Sequence, residues 1–263
     1  MQIGFIGLGA VVETAYLPVL RRLGYAIDNC WGYDLDSSRA LPGIQRCSSL
    51  SALLAKPLDT LFITTSSLQH LPVLERALAS GISRIVVEKP IVANLEQAAR
   101  LRALLAPPEQ AARVLALDHW MARGVALNAI TSPWRAEEIV WLEGYLQEPS
   151  GFNAAGEPDT RQLRHPDGVI LDIGTHVLAM LRETLHASGS DTALSLSLRV
   201  AKDRLGHDIA PGDTVTAEGE AHLQGTLGTI PLNIWLNKYA GPAGGQKGMR
   251  IGLRGPRICL ARY

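Results

Sequence analysis

The chain opens with an apolar run, Ile3, Phe5 and Ile6, that breaks off in Gly7-Leu8-Gly9-Ala10-Val11-Val12, and this break restricts the fold more than any other stretch. A short apolar run reads as a buried strand, and the two glycines behind it read as a sharp turn. From Glu13 to Leu23, residues Ala15, Tyr16, Val19, Leu20 and Leu23 recur at three- and four-residue intervals, which predicts a helix with those side chains on its buried face. Strand, glycine turn and helix in this order make a cradle for the pyrophosphate of a dinucleotide. Gly7 permits the turn, Gly9 lets the backbone approach the anion, and the unpaired amides of the helix start, at Ala10, Val11 and Val12, face it. Val12 holds the third fingerprint position, where Gly or Ala is usual, which predicts a looser contact between helix and strand.

With 263 residues, 47% of them apolar, the chain can bury one large core or two ordinary ones. Twenty-five basic residues balance twenty-five acidic ones, and no run of like charge offers a footing for nucleic acid or an anionic membrane. No apolar stretch is long enough to span a bilayer, and the first strand lacks the basic start and the length of a signal peptide, so a cytoplasmic protein is expected. Cys30, Cys47 and Cys259 are widely spaced with no Cys-x-x-Cys pair, which predicts neither a disulfide framework nor a metal site.

A second strand is expected over Ala26 to Tyr33, ending at Asp34. An acid at that place accepts the ribose hydroxyls of adenosine and repels a 2′-phosphate, which favours NAD, with NADP possible if Ser37, Ser38 and Arg39 form a phosphate pocket instead. The alternative for Asp34 is to cap the helix that follows. Helical spacing over Leu50 to Leu54 leads into a buried strand, Thr60 to Thr65, and the loop after it carries Ser66 and His70. Leu71, Leu74, Leu78 and Ala79 then predict a helix closing at Gly81, and the strand Arg84 to Val87 delivers Glu88-Lys89-Pro90. Asn94 with Gln97 is a capping box for a helix whose buried stripe is Leu95, Ala98, Leu101, Leu104 and Leu105. Strands alternating with helices at this spacing argue for an α/β, doubly wound parallel sheet, a Rossmann domain over 1–118 whose strand ends gather at one edge. Gly7, Gly9, Ala10, Val11, Val12, Asp34, Thr64, Thr65, Ser66, His70, Glu88 and Lys89 are accordingly assigned to the cofactor.

After a strand at Val114 to Leu117 the pattern changes. Ile139 to Leu146 reads as a strand and Val169 to Leu181 as a helix, and alternation over Leu194 to Val200, Thr214 to Leu223, Gly228 to Leu236 and Met249 to Leu253 reads as antiparallel strands. The Gly241 to Gly245 stretch reads as a mobile loop between strands. The second domain, 119–263, is thus expected to be α+β with a largely antiparallel sheet.

Gly7-Leu8-Gly9 followed by Tyr16-Leu17-Pro18, then Ser67-Leu68-Gln69-His70, Glu88-Lys89-Pro90 and Asp172-Ile173-Gly174-Thr175-His176, resemble the motifs of the Gfo/Idh/MocA oxidoreductase family. The resemblance implies a Rossmann domain followed by a substrate-binding and dimerising domain, NAD or NADP as cofactor, and a sugar, cyclitol or sugar derivative as substrate. It implies catalytic roles for Lys89, Asp172 and His176: Lys89 and His176 bond the reacting oxygen, His176 takes the proton, and Asp172 holds a substrate hydroxyl or the His176 ring. Helical spacing agrees, since Asp172 and His176 are four residues apart and share a face. The alternatives are a solvated loop lysine at Lys89 and a helix cap at Asp172.

Three departures bear on details. Ser66 stands where the family often has Pro. In place of the arginine usual after the sixth strand stands Asp118-His119-Trp120-Met121-Ala122-Arg123, similar in residue type to a substrate-contacting stretch of glucose-6-phosphate dehydrogenases. That similarity implies a sugar phosphate as one substrate class, with Asp118, His119, Trp120 and Arg123 beside Lys89, Asp172 and His176 at the substrate. The chain also ends at Tyr263, earlier than most members of the family, so an open edge of the second sheet is expected to be covered in a homo-oligomer. Three functions are compatible with these residues: a dehydrogenase or ketone reductase, an enzyme that recycles bound NAD while cleaving or eliminating a glycoside, and a non-catalytic NAD-binding regulator.

Overall fold

The computed structural model describes residues 1–117, 136–149, 168–187, 193–203, 206–209, 219–241, 245–255 and 258–262. The chain divides into two compact units, Met1–Leu117 and Asp118–Tyr263.

The first unit is built on six strands, β1 Ile3–Ile6, β2 Cys30–Tyr33, β3 Gln45–Arg46, β4 Thr60–Ile63, β5 Ile85–Val87 and β6 Val114–Ala116. They pair in the order β3-β2-β1-β4-β5-β6, every pair parallel. Parallel neighbours need crossovers, and the crossovers carry helices α1 Leu17–Arg22, α2 Leu50–Leu54, α3 Ser67–Ala79, α4 Leu95–Leu104 and α5 Pro108–Ala111. Alternation along β1 sends Ile3 and Phe5 to one face, with Leu8, Val12, Leu17 and Leu20, and Ile6 to the other, with Leu53, Leu61, Ile63 and Leu74. The two faces of one sheet thus become two cores, as a doubly wound fold requires.

Several expected boundaries and faces shift. Before α1 the chain makes a π turn, Val12–Tyr16, in which the Leu17 N–H donates to the Val12 carbonyl. The extra residue rotates the helix, so Val12, Leu17 and Leu20 are buried, while Val19 and Leu23, expected inside, are 53% and 66% exposed. Val12 itself is 0% exposed, packed in the core of that face with Phe5, Leu8 and Leu17. The second strand starts at Cys30, because Ile27–Asn29 turn as a 3₁₀ segment. Asn94 caps α4 by accepting from the Gln97 N–H at 2.8 Å, but Leu95 is 89% exposed. The inward place in that first turn goes to Gln97, whose amide donates to the Leu68 carbonyl at 3.1 Å.

The second unit carries β7 Ile139–Pro149, β8 Leu194–Lys202, β9 Glu220–Leu227, β10 Ile230–Gly241, β11 Gln246–Leu253 and β12 Ile258–Arg262, in the order β12-β11-β7-β10-β9-β8. Among the described residues β7 and β10 are its one parallel pair. β12 is a strand the alternation did not reveal, since its few residues show too short a pattern. A second π turn, Ile170–Gly174, leads into α6, Thr175–Ala187, which lies on β7. It comes so close because Gly144 has no side chain: a Cβ there would stand 2.2 Å from Val177 Cγ1 and 3.1 Å from Leu181 Cδ1. The Gly241 loop falls partly, and the Thr214 start of a strand wholly, outside the described residues.

Candidate functional site

At the end of β1, Gly7 sits at φ +92°, and a Cβ there would come within 2.6 Å of the Thr64 carbonyl oxygen. Only glycine fits both constraints. The turn is tied on three sides: the Gly7 N–H donates to the Tyr33 carbonyl at 2.8 Å, Thr64 Oγ1 donates to the Gly7 carbonyl at 2.7 Å, and the Leu8 N–H donates to Asp34 Oδ2 at 2.7 Å. Gly9 is different, because a Cβ built on it meets nothing within 4 Å. The backbone there borders open space, at the start of a helix turn where Val12 and Glu13 N–H groups donate to the Gly9 carbonyl at 3.1 and 3.3 Å. Ala10 is exposed and Val11 half-buried. A turn held from below and open above fits the pyrophosphate of a dinucleotide, so Gly7, Gly9, Ala10 and Val11 are the residues able to hold one.

Asp34 follows β2 and spends both carboxylate oxygens on backbone, Oδ2 on Leu8 and Oδ1 on the Asp36 N–H at 2.9 Å. It therefore both braces the glycine turn and caps its own loop. Asp36 accepts from the Ser38 N–H and hydroxyl, and these bonds hold its carboxyl below the usual carboxylate range. Arg46 closes the same loop by donating to the carbonyls of Arg39, Asp34 and Asp36.

Thr64, Thr65 and Ser66 follow β4. Thr64 is buried and turned into the glycine turn, Thr65 Oγ1 donates to the Ser66 carbonyl at 3.3 Å, and Ser66 is exposed at the start of α3. His70 is 1% exposed, its ring held between the carbonyls of Pro90 at 2.7 Å and Thr65 at 3.0 Å. It is a brace between the loops after β4 and β5. Glu88 and Lys89 follow β5, both half-buried, with Tyr16 donating its hydroxyl to Glu88. Gly7, Asp34, Thr64 and Lys89 all stand at the carboxyl ends of parallel strands, and β1 and β4, on which the order reverses, lie at the centre. That edge is where open parallel sheets bind ligands.

In the second unit, Asp172 lies in the π turn before α6, and Lys238 of β10 donates to its Oδ2. His176, in the first turn of α6, is 3% exposed. Lys238 escaped the sequence reading, although a signal existed. Leu232, Ile234 and Leu236 point to the core in alternation, and Lys238 continues their parity, so a cation on the apolar side of a strand asks for a partner. Asp118, His119, Trp120 and Arg123 lie outside the described residues.

Residues 1–115 match the Gfo/Idh/MocA family model, an oxidoreductase family with an NAD-binding Rossmann fold. The match lies within the first unit and takes in less than half of the chain, so the first unit is similar to that family. Over 107 residues the chain is 32% identical to YceM of Salmonella typhimurium, by name an oxidoreductase; the match takes in 40% of this chain and 34% of YceM. Solved structures share the fold along the whole chain. UDP-N-acetylglucosamine 3-dehydrogenase GnnA from Acidithiobacillus ferrooxidans superposes with a TM-score of 0.70 at 22% identity, covering 99% of this chain and 76% of GnnA. GenD2 from gentamicin A biosynthesis, solved in complex with NAD, gives 0.74 at 16% identity, covering 100% of this chain and 72% of GenD2. At these identities the likeness is one of fold, a Rossmann unit followed by a unit with a mixed sheet.

Proposed function

We propose that the chain is an NAD-dependent dehydrogenase or reductase acting on a secondary hydroxyl or ketone of a sugar, cyclitol or sugar derivative. The observation that carries it is the strand edge of the first unit, where a braced glycine turn, an acid held against it and a lysine occur at the ends of β1, β2 and β5. GnnA and GenD2, whose fold the chain shares, add weight to a sugar-like substrate by the words of their names. Bound NAD supplies a hydride acceptor. The amides after Gly9 receive its pyrophosphate, and Asp34 accepts from its adenosine ribose. Lys89 donates to the oxygen as negative charge develops on it, and His176 takes the hydroxyl proton. Asp172, which accepts from Lys238, orients the substrate or the His176 ring. Asp118, His119, Trp120 and Arg123 complete the substrate side.

The test is a screen of sugars, sugar phosphates, nucleotide sugars and inositols for NAD reduction, followed by Lys89→Met, His176→Ala and Lys238→Met. Each of the first two is expected to lower turnover by about two to four decades with NAD binding nearly unchanged. Lys238→Met, which removes the Lys238–Asp172 ion pair, is expected to cost less than either. Near-normal turnover in both Lys89→Met and His176→Ala, with the fold intact, would place the chemistry elsewhere. Asp118→Ala and His119→Ala losing activity only on phosphorylated sugars would narrow the substrate to that class.

A further inference from the structure

The π turn Val12–Tyr16 ends on a tyrosine whose hydroxyl donates to Glu88 Oε1, on the residue directly before Lys89. Glu88 Oε2 in turn accepts from the Lys89 backbone N–H at 3.2 Å. One carboxylate thus joins the helix behind the glycine turn to the backbone of the lysine, across 72 residues of sequence. The Tyr16 ring is seated against Phe62, centroids 4.9 Å apart, and against Phe5 at 6.2 Å, so the direction of its hydroxyl is set by packing. Burial, reinforced by the Glu88 carboxylate, holds the phenol well above the usual tyrosine range, and it remains a donor across the working pH range. The extra residue of the π turn matters here, because one residue more or less turns a helical side chain by about 100°.

We propose that Tyr16 is a positioning residue, a strut that holds the Glu88 carboxylate in place and through it the backbone of Lys89, so that the helix after the glycine turn and the lysine are set by one hydrogen-bonded chain. Its meaning for catalysis rests on Lys89 acting at the reacting oxygen, as proposed above; the strut itself does not. Tyr16→Phe keeps the ring and its packing and removes only the donor. Glu88→Gln keeps an acceptor for Tyr16 but turns an amide N–H toward that of Lys89.

The experiment labels lysines of the full-length protein with trinitrobenzenesulfonate as a function of pH and reads each site by peptide mass spectrometry. Lys56, whose Nζ lies 3.8 Å over the Trp31 ring in the same unit, is the internal reference. Tyr16→Phe and Glu88→Gln are each expected to raise the Lys89 rate relative to Lys56 by about three- to tenfold, and the double variant by no more than the larger single effect, as for residues acting in series. A Lys89 ratio within about twofold of wild type in Tyr16→Phe, or effects that multiply in the double variant, would leave Tyr16 as a packing residue only. Should Tyr16→Phe fold poorly, an unchanged Lys89 ratio in Glu88→Gln overturns the strut on its own. Labelling wild type with NADH present is a separate arm: protection of Lys89 supports its place at the cofactor, and no protection removes that reading while the strut stands or falls on the variants.

Discussion

Asp34 carries two tasks that pull in one direction. Its carboxylate accepts from the Leu8 amide, which fixes the glycine turn, and in the function proposed above it opposes a 2′-phosphate on the adenosine ribose. Arg46 is poorly suited to rescue NADP, because its guanidinium is already donating to the carbonyls of Arg39, Asp34 and Asp36. Wild type is therefore expected to bind NAD more tightly than NADP, and Asp34→Ser to narrow or reverse the preference while weakening both, since the turn loses its brace. Fluorescence titration with the two reduced cofactors measures this. Tenfold tighter binding of NADP by wild type, about 1.4 kcal/mol, would refute the charge assignment.

At the scale of elements, both units place a π turn directly before the helix that matters, Val12–Tyr16 before α1 and Ile170–Gly174 before α6. Each such turn inserts a residue and resets which side chains the following helix presents. The second element rule is close approach. α6 reaches β7 only because Gly144 offers no Cβ between Val177 and Leu181. Gly144→Val is expected to push α6 from the sheet and lower the stability of the second unit by about 1–3 kcal/mol, the usual range for overpacking. Urea unfolding followed by near-ultraviolet circular dichroism tests it, and an unchanged midpoint would mean that the helix is not seated on β7 as described.

For the molecule as a whole, the two units can be followed apart, because Cys30 and Cys47 report on the first. They are 1% and 6% exposed, and burial pushes both thiols up, helped at Cys30 by Asp28 and opposed at Cys47 by Lys56. Buried neutral thiols react slowly until their unit opens. If the first unit binds NAD, a hundredfold excess over its Kd stabilises it by about 2.7 kcal/mol, which slows opening-limited labelling of both cysteines roughly a hundredfold. Peptide-resolved labelling with and without NAD is the measurement. Equal rates in both conditions would separate the Rossmann unit from its expected cofactor.

Local physics was legible in the residues. The glycine break after Ile6, the alternation of buried strands with helices, and the acid and lysine at strand ends foretold a parallel sheet and the edge on which Gly7, Asp34 and Lys89 stand, because each depends on neighbours a few positions away. The same spacing put Asp172 and His176 four residues apart on one expected helix, whereas Asp172 lies in the π turn Ile170–Gly174 and His176 in the first turn of α6. It could not reveal that a π turn rotates α1 away from Val19 and Leu23, since an inserted residue leaves composition and spacing untouched. Nor could it pair Tyr16 with Glu88 or Lys238 with Asp172, 72 and 66 residues apart, because no periodic signal links side chains at that separation. Those pairs were decided by the tertiary structure, where packing brings a half-buried donor and carboxylate together and each makes up for the hydration the other has lost.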